Sequence, residues 1–186
     1  MALEYELIRV DPFENNNGHP ELLELNPDGK VPVLKHNDVV MLESLAIIEY
    51  LDGVSGKAEL VPNAHIDVYH FRKSIHFGLT EIEPYLWLSE QADGPLSNLY
   101  HWPKGVYSES LARVKESSAT LEKLILEKNP DGSCYLMGAK FSLADIYYYH
   151  ILTWAKQHGI NFGSHTESYL THLEHRDKFP KEMYWQ

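Results

Sequence analysis

Residues 26–51, NPDGKVPVLKHNDVVMLESLAIIEYL, constrain the fold more than any other stretch, because a turn, two short strands and a helix start follow one another there without slack. Asn26-Pro27-Asp28-Gly29 is a turn signal: proline sets its own φ, aspartate bonds back to the backbone, and glycine accepts a positive φ. Residues 31–34 and 39–42 are β-rich and flank the polar Lys35-His36-Asn37-Asp38, a pattern that predicts an antiparallel hairpin. Pro32 has no N–H for a ladder bond and belongs at a strand's beginning or edge, which turns the backbone groups of Val31 outward. After Glu43-Ser44, the residues Leu45, Ala46, Ile47, Ile48, Tyr50 and Leu51 recur with helical spacing. Ser44 therefore stands at or near a helix N-terminus, where a hydroxyl and free N–H donors suit an anion.

Upstream, residues 5–10 (YELIRV) alternate and predict a strand ended by Asp11-Pro12; residues 13–18 read as a polar loop. Residues 19–25 predict a short helix with Leu22, Leu23 and Leu25 beneath the sheet and Pro20 in its first turn. Downstream, residues 53–63 carry glycine and proline with no long periodicity, the composition of a linker. Helical spacing then dominates, over residues 65–91 with Gly78 and Pro84 as kink points, and over residues 106–126, closed by Asn129-Pro130-Asp131-Gly132. It returns over residues 146–156 and 168–175, and an aromatic tail follows from Phe179.

Phe141-Ser142-Leu143-Ala144-Asp145-Ile146 predicts a capping box, with Ser142 as N-cap, Asp145 three residues on, and Phe141 stapled to Ile146. This is a folding element, not a reaction centre. The aromatics Tyr69, Phe71, Phe77, Trp87, Tyr100, Trp102 and Tyr107 read first as core.

Charge and cysteine content narrow the partners. A net charge of −11 over 186 residues argues against nucleic acid and anionic membranes, since both require clustered Lys and Arg. The single cysteine, Cys134, has no internal disulfide partner, and with no signal sequence or long apolar run the expectation is a reduced, cytoplasmic protein. The 11 histidines are scattered without the spacing of a zinc site, so no metal is expected.

The run N-P-x-G-K-V-P-V-L followed by L-E-S-x-A-I-I-x-Y-L resembles the glutathione transferase family, in the second half of its thioredoxin-like domain. F-S-L-A-D resembles the buried capping box in that family's helical domain. The resemblance implies a thioredoxin-like α/β domain over residues 1–53, shortened at its N-terminus, a linker over 54–62 and an all-α helical domain over 63–186. It implies that Val31 pairs its backbone with the cysteinyl part of glutathione beside a cis Pro32, that Glu43 and Ser44 hold the γ-glutamyl end, and that Lys30 lies near the glycine carboxylate. It implies glutathione as co-substrate, a small electrophile as second substrate, and a homodimer.

The resemblance begins at residue 5 with what corresponds to the family's second strand. The preceding strand and helix, together roughly 25 residues, supply the family's catalytic Tyr, Ser or Cys at their junction, and only residues 1–4 stand before that point. Three arrangements follow: the strand over residues 5–10 moves to pair with residues 31–34, a second copy fills the gap, or further sequence lies upstream. No catalytic residue is assigned. Two functions follow as well, a transferase conjugating glutathione to an electrophile, and a non-catalytic transferase-like module binding glutathione or a protein.

Overall fold

The computed structural model describes residues 3–10, 19–94, 96–128 and 135–180. The loop at 13–18, the turn at 129–132, Cys134 and the tail beyond Pro180 lie outside the described residues. Contacts divide the chain into two units, Met1–Val61 and Pro62–Gln186.

The first unit holds a short helix, a hairpin and a longer helix. α1 (Pro20–Leu25) has proline in its first turn and buries Leu22. β1 (Leu34–His36) and β2 (Val39–Met41) pair antiparallel, Leu34 with Met41, Lys35 with Val40 and His36 with Val39. The connection is two residues rather than four. Asn37 takes φ 55°, which asparagine tolerates and which matches the strands' twist, so pairing extends inward to Lys35 and His36. At the other end the ladder begins only at Leu34, after the residue that lacks an N–H.

α2 (Ser44–Val54) follows and buries Ile47. His36 Nδ1 lies 2.5 Å from the Tyr50 hydroxyl and ties the hairpin to this helix. Near its end, the buried Asp52 carboxylate accepts N–H bonds from Glu59 (3.0 Å), Leu60 (3.0 Å) and Val61 (3.3 Å). One side chain thus directs the backbone leaving the unit.

The strand expected over residues 5–10 does not form; residues 3–10 carry no ladder among the described residues, and Tyr5 (80%), Leu7 and Ile8 are exposed. A β-rich pattern needs a partner edge for its N–H and C=O groups, and among the described residues no such edge meets this segment.

The second unit is all helical: α3 (His65–Glu81), α4 (Glu83–Asp93), α5 (Val106–Lys128), α6 (Leu143–Gln157) and α7 (Ser164–Glu174). The expected long helix breaks once, at Ile82, where φ falls to −125° and Pro84 enters the first turn of α4. Gly78 is no kink. A Cβ there would stand 2.4 Å from the Tyr147 ring, so the glycine opens a slot in α3 for a buried aromatic on α6.

The core of this unit is apolar side chains from all five helices, among them Phe71, Leu86, Leu121, Ile151 and Leu173. α4 is also tied to α6 by two polar rungs seven residues apart: the Tyr147 hydroxyl donates to Glu83 (2.7 Å) and Trp154 Nε1–H to Glu90 (2.7 Å). Heptad spacing returns both pairs to the same helix faces. Of the aromatics read as core, Phe71 is buried, whereas Tyr69, Trp87, Tyr100 and Trp102 are exposed. Helical spacing marks a face but does not say what covers it.

Asp145 stands at the N-terminus of α6, fully buried. It accepts from the backbone N–H of Ser142 and of Leu136 (2.7 Å each), from the Ser142 hydroxyl (3.0 Å) and from the Tyr169 hydroxyl (2.9 Å). Burial pushes its carboxyl up, against the pull of those donors.

α7 starts at Ser164, four residues before the expected helix, because its cap comes from another element. Glu122 on α5 accepts the backbone N–H of His165 (2.8 Å) and of Thr166 (2.9 Å), His165 Nδ1–H (3.0 Å) and the Thr166 hydroxyl. Burial alone would raise the Glu122 carboxyl, but the bonds from Thr166 and His165 outweigh it and hold the group below its ordinary value of 4.5. A lowered carboxylate contributes stability that is present above the ordinary value and is lost as pH falls through the folded one. Glu122→Gln is therefore expected to lower the melting temperature at pH 7, by a free energy of about 1–2 kcal/mol. Melting curves of the two proteins should converge as pH falls from the ordinary value through the lowered folded one, and a gap that persists in stronger acid would show that packing, not charge, caused the loss.

Candidate functional site

The stretch from Asn26 to Ser44 folds into one corner of the first unit. Asn26 ends α1, its N–H bonded to the Leu22 carbonyl (2.7 Å), and its own carbonyl accepts Gly29 N–H (2.9 Å). Gly29 takes φ 64°, the left-handed conformation that glycine adopts at no steric cost. The Asn26 side chain, buried at 4% exposure, closes the turn from within: Oδ1 accepts Asp28 N–H (3.2 Å) and Nδ2–H donates to the Lys30 carbonyl (2.9 Å).

Lys30, Val31 and Pro32 leave this turn exposed, and the Val31–Pro32 peptide bond is cis. Among the described residues the Val31 N–H and C=O take no hydrogen bond, and its side chain is 51% exposed. An open donor and an open acceptor on one residue form a short strip of sheet edge, ready to pair with an extended peptide.

The ladder ends at the Leu34–Met41 pair, so this strip enters the hairpin at the same end from which the chain leaves it for Glu43, Ser44 and the start of α2. Glu43 and Ser44 are both exposed. Glu43 is the N-cap of α2 at φ 71°, and no side chain caps this helix end. Its first turn also carries no acidic residue, so the N–H groups of Ser44, Leu45 and Ala46 remain available beside the Ser44 hydroxyl. The corner thus offers a peptide-pairing strip, a helix end that favours an anion, the Glu43 carboxylate that favours a cation, and the Lys30 ammonium.

All five residues singled out in the sequence lie along this corner. Ser142 and Asp145 belong to the helical unit and are engaged with each other. Asn26 escaped the sequence reading because its turn propensity accounted for it without a role for the side-chain amide. The signal available was a polar residue at a position that closes a turn beneath a helix. Among the described residues no group of three or more His, Cys, Asp or Glu is placed to hold a metal ion, and no helix is long and apolar enough to cross a membrane.

Residues 1–53 match the profile of the Glutathione S-transferase N-terminal domain, and residues 95–185 that of its C-terminal domain. The chain belongs to the glutathione S-transferase family. Glutathione S-transferase hmp2 of Hypomyces subiculosus is 30% identical over 78% of this chain and 69% of its own length. Elongation factor 1-gamma 3 of Oryza sativa subsp. japonica is 26% identical over 97% of this chain, which spans 44% of that relative. Several other curated relatives are likewise spanned over less than half their length. Ure2p, solved in complex with glutathione, superposes with a TM-score of 0.76 at 19% identity, covering 94% of this chain and 84% of its own. The transferase fold is evident in both units, a thioredoxin-like one with a short two-stranded sheet and an all-helical one.

Proposed function

We propose that the Asn26–Ser44 corner binds reduced glutathione and that the chain transfers it to a small electrophile. The observation that carries this reading is the unpaired Val31 peptide at the end of the hairpin from which the uncapped α2 starts. Glutathione is an extended tripeptide with one anionic and one zwitterionic end. Val31 pairs with the cysteinyl backbone, the α2 N–H groups and the Ser44 hydroxyl take the γ-glutamyl carboxylate, Glu43 takes its ammonium, and Lys30 faces the glycine carboxylate. A free thiol has a pKa near ~8.5, so binding alone delivers the sulfur mostly protonated, and conjugation requires a donor that holds the thiolate. Support for the ligand comes from Ure2p, and support for transfer from the relationship to hmp2. A second copy of the chain is the expected partner for the apolar side chains left exposed, such as Tyr5, Ile8 and Ile66, and the cytoplasm the expected compartment.

A second reading is favoured by the relationship to elongation factor 1-gamma 3 over nearly the whole chain. That relative is named for translation elongation rather than for glutathione transfer, and on this reading the fold serves as a non-catalytic module binding glutathione or a protein. The two separate by experiment. On addition of glutathione, the amide resonances of Val31 and of Ser44 to Ala46 are expected to shift, and thiol consumption with an aryl halide or an epoxide should exceed the uncatalysed rate. Shifts without turnover favour the binding module, and no shift in that set overturns the assignment of the corner.

A further inference from the structure

We infer that Asn26 is a positioning residue that aims the Val31 N–H at the ligand, an inference that rests on the glutathione reading of this corner. The peptide group between Lys30 and Val31 is one rigid trans unit, with the Lys30 carbonyl on one side and the Val31 N–H pointing the opposite way. Asn26 Nδ2–H holds that carbonyl at 2.9 Å from a side chain that is itself buried. Fixing one end of a planar group fixes the other, so the Val31 N–H is turned outward, away from the turn, where it has no partner among the described residues. The second arm of the amide, Oδ1 to Asp28 N–H, keeps Asn26 from rotating. A donor oriented before the ligand arrives loses less freedom on binding than one that must be ordered by it.

Two variants separate aiming from scaffolding. Both keep an acceptor for Asp28 N–H; Asn26→Asp removes the donor to the Lys30 carbonyl, and Asn26→Ser holds its only donor one bond short of it. Each is expected to weaken glutathione binding about tenfold, the equivalent of one ordinary hydrogen bond. The ligand-induced shift of the Val31 amide should shrink while those of Ser44 to Ala46 persist at saturation. The serine variant carries the test if burying a carboxylate unfolds the turn. Binding by both variants as tight as the parent's overturns the inference and leaves the glutathione reading standing. So does joint loss of both sets of shifts, which would mark Asn26 as scaffold only. No binding by the parent chain ends both readings together.

Discussion

Asp145→Ala is expected to destabilise the protein by about 3–5 kcal/mol. The carboxylate is fully buried and receives four donors: the N–H groups of Leu136 and Ser142 and the hydroxyls of Ser142 and Tyr169. Alanine leaves them without an acceptor inside the helical unit, at ~1–3 kcal/mol for each buried group left unsatisfied, less whatever local relaxation recovers. For a chain of this length that corresponds to a melting temperature lowered by roughly 10 °C or more. Asparagine is no full rescue, because in either orientation its NH₂ faces a backbone N–H, that of Ser142 or that of Leu136, donor against donor. A drop below about 1 kcal/mol in denaturant melts would show that the α6 N-terminus does not depend on this network.

The second large effect falls on ligand binding and leaves stability alone. Glu43→Ala with Ser44→Ala is expected to weaken glutathione binding about 100-fold, since hydrogen bonds to charged groups contribute ~1.5–3 kcal/mol each. Both side chains are exposed and neither caps α2, so the melt should move little. Glu43 already sits at φ 71°, and alanine there bears the same backbone conformation as glutamate, with no new penalty for a Cβ. The α2 N–H groups survive in the variant and should retain a residue of binding. Equal affinities for parent and variant, measured by equilibrium dialysis, would remove both side chains from the site.

Short-range spacing made much of this fold legible. The capping box was readable because Ser142 and Asp145 act across three residues, and the corner because the turn, hairpin and helix start succeed one another within one stretch. What was not readable depends on partners remote in sequence. The start of α7 is set by Glu122, 43 residues before His165. Gly78 looked like a kink point, but its role is set by Tyr147 on another helix. Residues 5–10 carry a strand's pattern, which cannot reveal whether an edge is there to pair with it. Phe71 and Tyr69 stand two residues apart on α3, about 200° around the helix, and one is fully buried while the other is 59% exposed, so aromatic content alone does not say which of them the core takes. Within the site, propensity explained Asn26 as a turn residue and so hid the side-chain bond to Lys30.

Calorimetric titration of the purified chain with reduced glutathione tests the central claim most directly. The account predicts saturable heat with one site per chain and an affinity on the order of micromolar to low millimolar. No saturable heat from a sample with a cooperative melt would contradict it, and the family fold would then serve a partner other than glutathione.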